Sequence, residues 1–160
     1  MAKTFRGTFM AGLVGYYTKS NAMAEAYQRI AEAIRKPFTS GSGDNQADLL
    51  YLDPGVSLAS TSKSYELDAL ASDVWGDTIT FSKIRFIIIQ NLTLTTGKTL
   101  AIGGDFNTLG VIPALVYPGS VVAIAAPVDG FPVAAGSTDT LTIDSGANTV
   151  SYNLLIGGND

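Results

Sequence analysis

The sequence predicts a mainly β protein: a jelly-roll-like β-sandwich over 49–160, preceded over 1–48 by an N-terminal arm, one amphipathic α-helix and a connector. Three observations predict it. After residue 48, short runs of β-branched and aromatic residues recur at regular spacing with turn residues between them, a pattern of sandwiches and jelly rolls. Residues 78–91, TITFSKIRFIIIQN, form the longest such run and become apolar at successive positions in their second half, as a central strand does. Residues 20–36 instead carry apolar residues at helical spacing.

In chain order, residues 1–24 have the outline of an export leader. Lys3 and Arg6 precede the mostly apolar 9–17, and Ala22-Met23-Ala24 resembles a cleavage site. Gly12, Gly15, Tyr16 and Tyr17 replace the leucine-rich helix such a leader needs, so the segment is expected to be an arm. No run of the sequence has the length of a membrane-spanning helix. From Ser20 or Asn21, Met23, Ala26, Tyr27, Ile30, Ala33 and Ile34 recur as one helical stripe, Glu25/Arg29 and Glu32/Lys36 stand four apart, and Pro37 ends the pattern. Residues 37–48, PFTSGSGDNQAD, read as a connector. Strands are expected within 49–52, 64–71, 78–91, 99–103, 120–126, 138–143 and 149–156, separated by turns such as Asp53-Pro54-Gly55 and Pro118-Gly119. Within 78–91, alternation puts Phe81, Lys83, Arg85, Ile87 and Ile89 on one face and Ile84, Phe86 and Ile88 on the other.

Composition narrows the chemistry. The chain has no cysteine, so neither disulfides nor thiolate metal sites are available, and no histidine, which removes the commonest general base and the usual zinc ligand. Charged residues are 15% of the chain and glycine 17 of its residues, a composition that suits a turn-rich protein whose surface makes contacts. Charge is divided unevenly. Residues 1–36 hold Lys3, Arg6, Lys19, Arg29, Arg35 and Lys36 against Glu25 and Glu32, a balance of +4, and the remainder holds four basic against twelve acidic residues, a balance of −8. A basic head on an acidic body points the head at an acidic partner. The −8 body speaks against nucleic acid as its ligand.

No catalytic signature emerges. Leu92 stands where a phosphate-binding loop ending Gly97-Lys98-Thr99 needs its first glycine, and a strand rather than a helix follows. Glu66 and Asp68 alternate onto one face of their strand, a pattern that solvated faces share with carboxylate pairs. Asp105 with Asn107, or Asp44 with Asp48, offer oxygens for calcium without a full ligand set. Asn91-Leu92-Thr93 matches a glycosylation sequon at a strand end, and Trp75 is a loop aromatic expected to plug one end of the sandwich. The expectation is a protein that is not an enzyme and uses no cofactor or metal.

WGDTITFSKIRFIIIQN (75–91), LAIGG (100–104), PGSVVAIAAPVDGFPV (118–133), DTLTID (139–144) and VSYNLLIG (150–157) follow an order that resembles the decoration, or cement, proteins of tailed-bacteriophage heads. The resemblance covers about residues 64–157 and lies in strand and turn pattern, without a diagnostic functional residue. It implies a jelly-roll-like, often trimeric protein, made in the host cytoplasm and seated on the outer capsid surface against the major capsid protein, with no membrane partner. The expected partner-binding residues are Lys3, Arg6, Lys19, Met23, Tyr27, Arg29, Ile30, Ile34, Arg35 and Lys36. The alternative is a carbohydrate-binding or adhesin-like module of a virion fibre, which would need an aromatic platform beyond Trp75.

Overall fold

The computed structural model describes residues 6–20, 25–70, 77–110, 112 and 114–160; within the first two strands, side chains are described for 7–11 and 34–38. The strands are β1 (Gly7–Ser20), β2 (Glu25–Phe38), β3 (Leu49–Ala59), β4 (Ser62–Glu66), β5 (Lys83–Asn91), β6 (Leu100–Gly103), β7 (Leu115–Val116), β8 (Val121–Ala125), β9 (Phe131–Pro132), β10 (Thr140–Asp144) and β11 (Thr149–Asn159). A 3₁₀ turn, Phe106–Leu109, lies between β6 and β7.

Two antiparallel sheets enclose one core, as in a β-sandwich. One has the order β4-β10-β6-β7; the other has the order β3-β11-β5-β8, with β9 extending the pairing of β5. Tyr65, Leu100, Ile102, Val116, Leu141 and Ile143 of the first sheet meet Leu58, Ile84, Ile87, Ile89, Val150, Tyr152, Leu154 and Ile156 of the second, all buried. Each fully buried Ile or Leu contributes about 2 kcal/mol of transfer free energy. All seven expected strand regions contain strands, with shifted ends: β5 begins at Lys83, and Ile79 before it makes only an isolated bridge to Leu70. Asp53-Pro54-Gly55, expected as a turn, lies inside β3, where a bulge opposite Tyr152 and Leu154 takes up the irregularity.

The expected helix over 20–36 is corrected. Glu25–Phe38 is a strand, paired antiparallel with Gly7–Ser20 from Gly7↔Phe38 to Ser20↔Glu25. The physical reason lies in β1, whose Thr8, Phe9, Val14, Tyr16, Tyr17 and Thr18 favour strand and whose Gly12 and Gly15 oppose helix. A helix beside it would leave a long β-prone segment without a ladder, whereas one ribbon satisfies the backbone groups of both segments. A lone helix of this length is itself marginal, and its two charge pairs add only about half a kcal/mol each at most.

A second correction concerns β5. Gly157 pairs with Phe86 but Gly158 pairs with Ile84, so Arg85 is an extra residue, a β-bulge that shifts the alternation. Ile84 therefore joins Ile87 and Ile89 in the main core, while Phe86 turns to the outer face and packs with Phe38 and Ala47. Backbone space at this point is closed to larger residues. A Cβ on Gly158 would lie 2.1 Å from the Lys83 carbonyl oxygen, and one on Gly157 would lie 2.1 Å from Phe86 Cζ.

Arg85 itself is buried at 2% exposure, and its partners are neutral oxygens. Nε donates to Asn159 Oδ1 at 2.6 Å, Nη1 to the carbonyls of Val128 and Pro127, and Nη2 to those of Ser42 and Gly43 at 3.1 and 3.2 Å. Asn159 Nδ2 donates to Gly41 O at 2.7 Å, Asn45 N to Pro127 O at 2.7 Å, and Asp48 N to Gly158 O at 3.1 Å. The glycine-rich connector is thus bonded to three parts of the sandwich.

Two stability predictions follow from this geometry. Gly158→Ala is expected to lower the urea midpoint by the equivalent of about 2–3 kcal/mol, because the obstructing atom is backbone and cannot swing aside. Arg85→Lys is expected to cost about 3 kcal/mol, since an ammonium cannot reproduce the guanidinium fork and leaves carbonyls without donors. Equal midpoints for wild type and Arg85→Lys would refute the second.

Candidate functional site

Seven of the ten residues expected to bind a partner, Lys19, Tyr27, Arg29, Ile30, Ile34, Arg35 and Lys36, lie in the β1–β2 ribbon, and Arg6 directly precedes it. Among the described residues this ribbon pairs only with itself, as a separate two-stranded sheet. Fourteen residues per strand make it roughly 45 Å long at the usual rise. Its base is anchored: Phe9 and Phe38 pack with Phe86, Leu50, Leu155 and Ala125 on the outer face of the five-stranded sheet, the Phe38 and Phe86 ring centroids lying 5.3 Å apart. Beside this contact an apolar groove of about 190 Å³ opens between Gly7–Phe9 and the sheet, floored by Phe86, Ile88, Leu50 and Leu155.

Beside these packed rings the described side chains of the ribbon are exposed. Met10 is 59% and Ile34 63% exposed, and Arg6, Arg35 and Lys36 are exposed beside them. Lys19 lies in β1 and Tyr27, Arg29 and Ile30 in β2, at register positions Lys19↔Ala26, Thr18↔Tyr27, Tyr16↔Arg29 and Gly15↔Ile30. Lys3 and Met23 lie outside the described residues. The ribbon does bring the basic segment into one structure. It does not preserve the expected Met23-to-Ile34 stripe, because a strand's two-residue period separates position 27 from positions 30 and 34.

Two polar clusters sit elsewhere. At the end of β4 the carboxylates of Glu66, Asp68 and Asp139 approach so that one oxygen of each lies within 4.8 Å of the others. The sequence reading had paired Glu66 with Asp68 but had no means of bringing in Asp139, which enters because Thr140 pairs with Glu66 across β4 and β10. These oxygens already accept hydrogen bonds: Glu66 Oε2 from Thr140 Oγ1 at 3.1 Å, and Asp139 Oδ2 from the Gly136 amide. That amide, aided by contacts from Asp105 and Thr140, holds the Asp139 carboxyl below its ordinary range. A carboxyl so held stays ionised at neutral pH, the wrong state for a general acid. Of the two suggested calcium loops, the one at 105–107 is bonded to backbone: Asp105 Oδ1 accepts from Thr140 N at 2.6 Å, Asn107 Nδ2 donates to Ile102 O, and Asn107 Oδ1 accepts from Ile112 N; in the other, Asp48 Oδ1 accepts from Asn159 Nδ2 at 3.4 Å.

The other cluster closes an edge of the sandwich. Asp53 of β3 accepts from Lys63 Nζ at 2.6 Å and from Tyr65 Oη at 2.8 Å, both on β4, and Tyr65 Oη lies 2.6 Å from Tyr152 Oη on β11. Tyr51 stands edge-on to Tyr65 with ring centroids 5.9 Å apart. No spacing in the sequence announces this group, because its members come from three strands of two sheets. It joins those sheets by hydrogen bonds where their apolar faces run out.

Other sequence features resolve into structure. The Asn91 side chain is buried, donates to Lys98 O and Val116 O at 3.0 and 3.1 Å, and accepts from Thr93 N, so its amide is committed to the fold. Trp75 lies outside the described residues. Among the described residues, Tyr117 is an exposed aromatic at 62%, close in sequence to the exposed Leu115 and Val121.

The tyrosine cluster generates a pH prediction. Burial pushes the Tyr51 and Tyr152 hydroxyls up to about 12 and raises Tyr65 as well. An unfolded tyrosine titrates near pH 10. A raised folded value means that stability from these neutral phenols is fully present below about pH 10 and is lost as pH climbs from there towards 12. The denaturation midpoint is expected to fall across that window, with tyrosinate absorbance from part of the seven tyrosines delayed until unfolding. Complete, reversible ionisation of all tyrosines near pH 10 in the folded protein would contradict the geometry.

No family model, curated protein or solved structure matches the chain.

Proposed function

We infer that this is a structural protein of a virion, a capsid decoration or cement protein of jelly-roll-like type that binds the outer head surface at capsomer junctions and stabilises the shell. The observation that carries the reading is the β1–β2 ribbon, a two-stranded sheet of its own. Two strands alone are marginal in water, and this pair extends over fourteen residues each; at its base Phe9 and Phe38 pack on the sandwich while Met10 and Ile34 beside them are exposed. A segment built so is completed by contacts with another molecule. The balance of +4 over residues 1–36 suits an acidic surface, and the resemblance over 64–157 supplies the setting.

The mechanism is mechanical. A shell under outward pressure from packaged DNA opens where neighbouring capsomers part, and a protein bound across that junction adds the free energy of contacts that parting would break. As an oligomer, with a trimer the form implied by the resemblance, it binds at several points, so each copy needs only modest affinity. In this reading it is not an enzyme, needs no cofactor, and has the major capsid protein as its principal partner.

Among the described residues the sandwich core takes none from 1–36, so removing that segment is expected to leave the core closed. Particles lacking the protein, carrying it, or offered the chain without residues 1–36 are heated or osmotically shocked, and DNA release is measured. Full-length protein is expected to lower release, and the shortened chain to fold but fail to occupy particles. Equal release with and without the full-length protein would reject the cement role and favour host-surface binding; normal occupancy by the shortened chain would reject the ribbon as the assembly element.

A further inference from the structure

We propose that the apolar groove at the foot of the ribbon is a docking site for one large apolar side chain, a phenylalanine or a leucine, carried on an acidic segment of a partner protein. The proposal rests on the reading above, in which that partner is the shell, and it names the place and the chemistry of the contact. Sheet geometry, size and charge carry it.

The groove follows from how two neighbouring rungs of the five-stranded sheet are filled. Leu50, Gly157 and Phe86 stand side by side in one rung, and Leu52, Leu155, Ile88 and Ala123 in another. Gly157 has no side chain and the Phe86 ring lies over it, so close that a Cβ at 157 would be 2.1 Å from Phe86 Cζ. Phe38 packs on that ring and Phe9 beside it, which covers the first rung. The second rung lacks this cover. Between it and Gly7–Phe9 a space of about 190 Å³ remains, with Ile88 and Leu155 in its wall, and Leu52 at the end of the rung is 44% exposed. The water-facing side of an antiparallel sheet ordinarily alternates to polar residues, whereas this rung is wholly aliphatic.

Size selects the occupant. Sites for free small molecules usually enclose about 300–1,000 Å³. The groove is smaller, with room for one side chain rather than for an acyl chain or a cofactor. A single large apolar anchor in a preformed pocket supplies much of the free energy of many protein contacts.

Charge selects what carries the anchor. A shallow hollow lined by Arg6 and Thr39 shares Gly7, Thr8 and Phe38 with the groove, so Arg6 stands at its mouth. Lys36 lies opposite Phe9 in the ladder, and Arg35 precedes it. All three cations are exposed, and none forms an ion pair with a described residue. Carboxylates on either side of the anchor would meet them, steering the segment in and fixing its direction. A neutral apolar segment would leave the cations unanswered, and a purely acidic one would leave the groove empty.

The test uses the full chain and a capped peptide with one central phenylalanine between pairs of glutamates, titrated while methyl resonances are followed by NMR. Shifts are expected to concentrate on Leu50, Ile88 and Leu155, with binding at least tenfold weaker when the phenylalanine becomes serine or the glutamates become lysine. Thr8→Trp closes the groove from its exposed rim, and Arg6→Glu with Lys36→Glu reverses the charge at its mouth. Each change is expected to weaken the peptide at least tenfold and to lower occupancy on particles, with the urea midpoint unchanged. The chain has no cysteine, so Thr8→Cys carries a single photocrosslinker, expected on particles to join an acidic shell segment that bears a phenylalanine or leucine. Shifts without preference for the groove, a serine peptide that binds as tightly as the phenylalanine one, or crosslinks confined to residues 1–5 of the same chain or to 72–77 of a second copy each overturn the proposal. A Thr8→Trp protein that occupies particles normally overturns it as well and leaves the proposed function standing. Peptide binding as expected, from a protein that does not lower DNA release, supports the site and counts against the shell as its partner.

Discussion

The buried guanidinium of Arg85 is the interaction on which the arrangement depends. Removing such a group from water costs several kcal/mol, and the cost is offset only if its donors are met. Here they are met by Asn159, by Val128 and Pro127 after β8, and by Ser42 and Gly43 in the connector. Bonds to a charged donor contribute about 1.5–3 kcal/mol each, so losing any one of these segments would leave part of a buried charge exposed to nothing. The charge therefore couples the C-terminal strand, a loop and the connector.

That coupling fixes the foot of the ribbon. β2 ends at Phe38, and the chain passes through the bonded connector before entering β3 at Leu49. With 41–43 held through Asn159 and Arg85, and Asn45 held by Pro127, Phe38 is placed over Phe86. The same bulge that brings Arg85 to the connector turns Phe86 outward to receive it. One inserted residue thus gives β5 an inner face for the core, a polar bulge for the connector and an outer face for the arm. The glycines opposite are part of the same construction, because no larger residue fits at 157 or 158 against Phe86 and the Lys83 carbonyl.

The sandwich was legible because its strands are encoded locally, by β-branched runs such as 83–91 and 149–156 and by turns such as Pro118-Gly119. The bulge was not. Strict alternation assigned Ile84 and Phe86 to one face, and nothing before residue 157 says that a partner strand will skip Arg85. The ribbon was missed for the opposite reason: Glu25-Ala-Tyr-Gln-Arg-Ile-Ala-Glu-Ala-Ile34 has the propensities and spacing of a helix, and only pairing with residues up to 23 positions away overrides them. The basic character of the segment was legible, since charge does not depend on fold. Asp139 and the Tyr51–Tyr65–Tyr152 group escaped because tertiary register assembles them.

The conflict within 25–38 bears on what holds the ribbon in its strand form. A segment whose local preference is helical but whose ladder is β holds its strand form only through cross-strand bonds and whatever covers the ribbon. Near Phe9 and Phe38 the sandwich supplies that cover; at Met10 and Ile34 the side chains are exposed. Contacts from another molecule would then stabilise the contact and the strand conformation together, so binding and ordering of the outer ribbon would be one linked equilibrium. The sandwich stands outside that linkage, because among the described residues its core draws on none of the ribbon and its two sheets are joined by their own tyrosine and aspartate bonds, so the ribbon's strand form and the sandwich's stability rest on separate contacts.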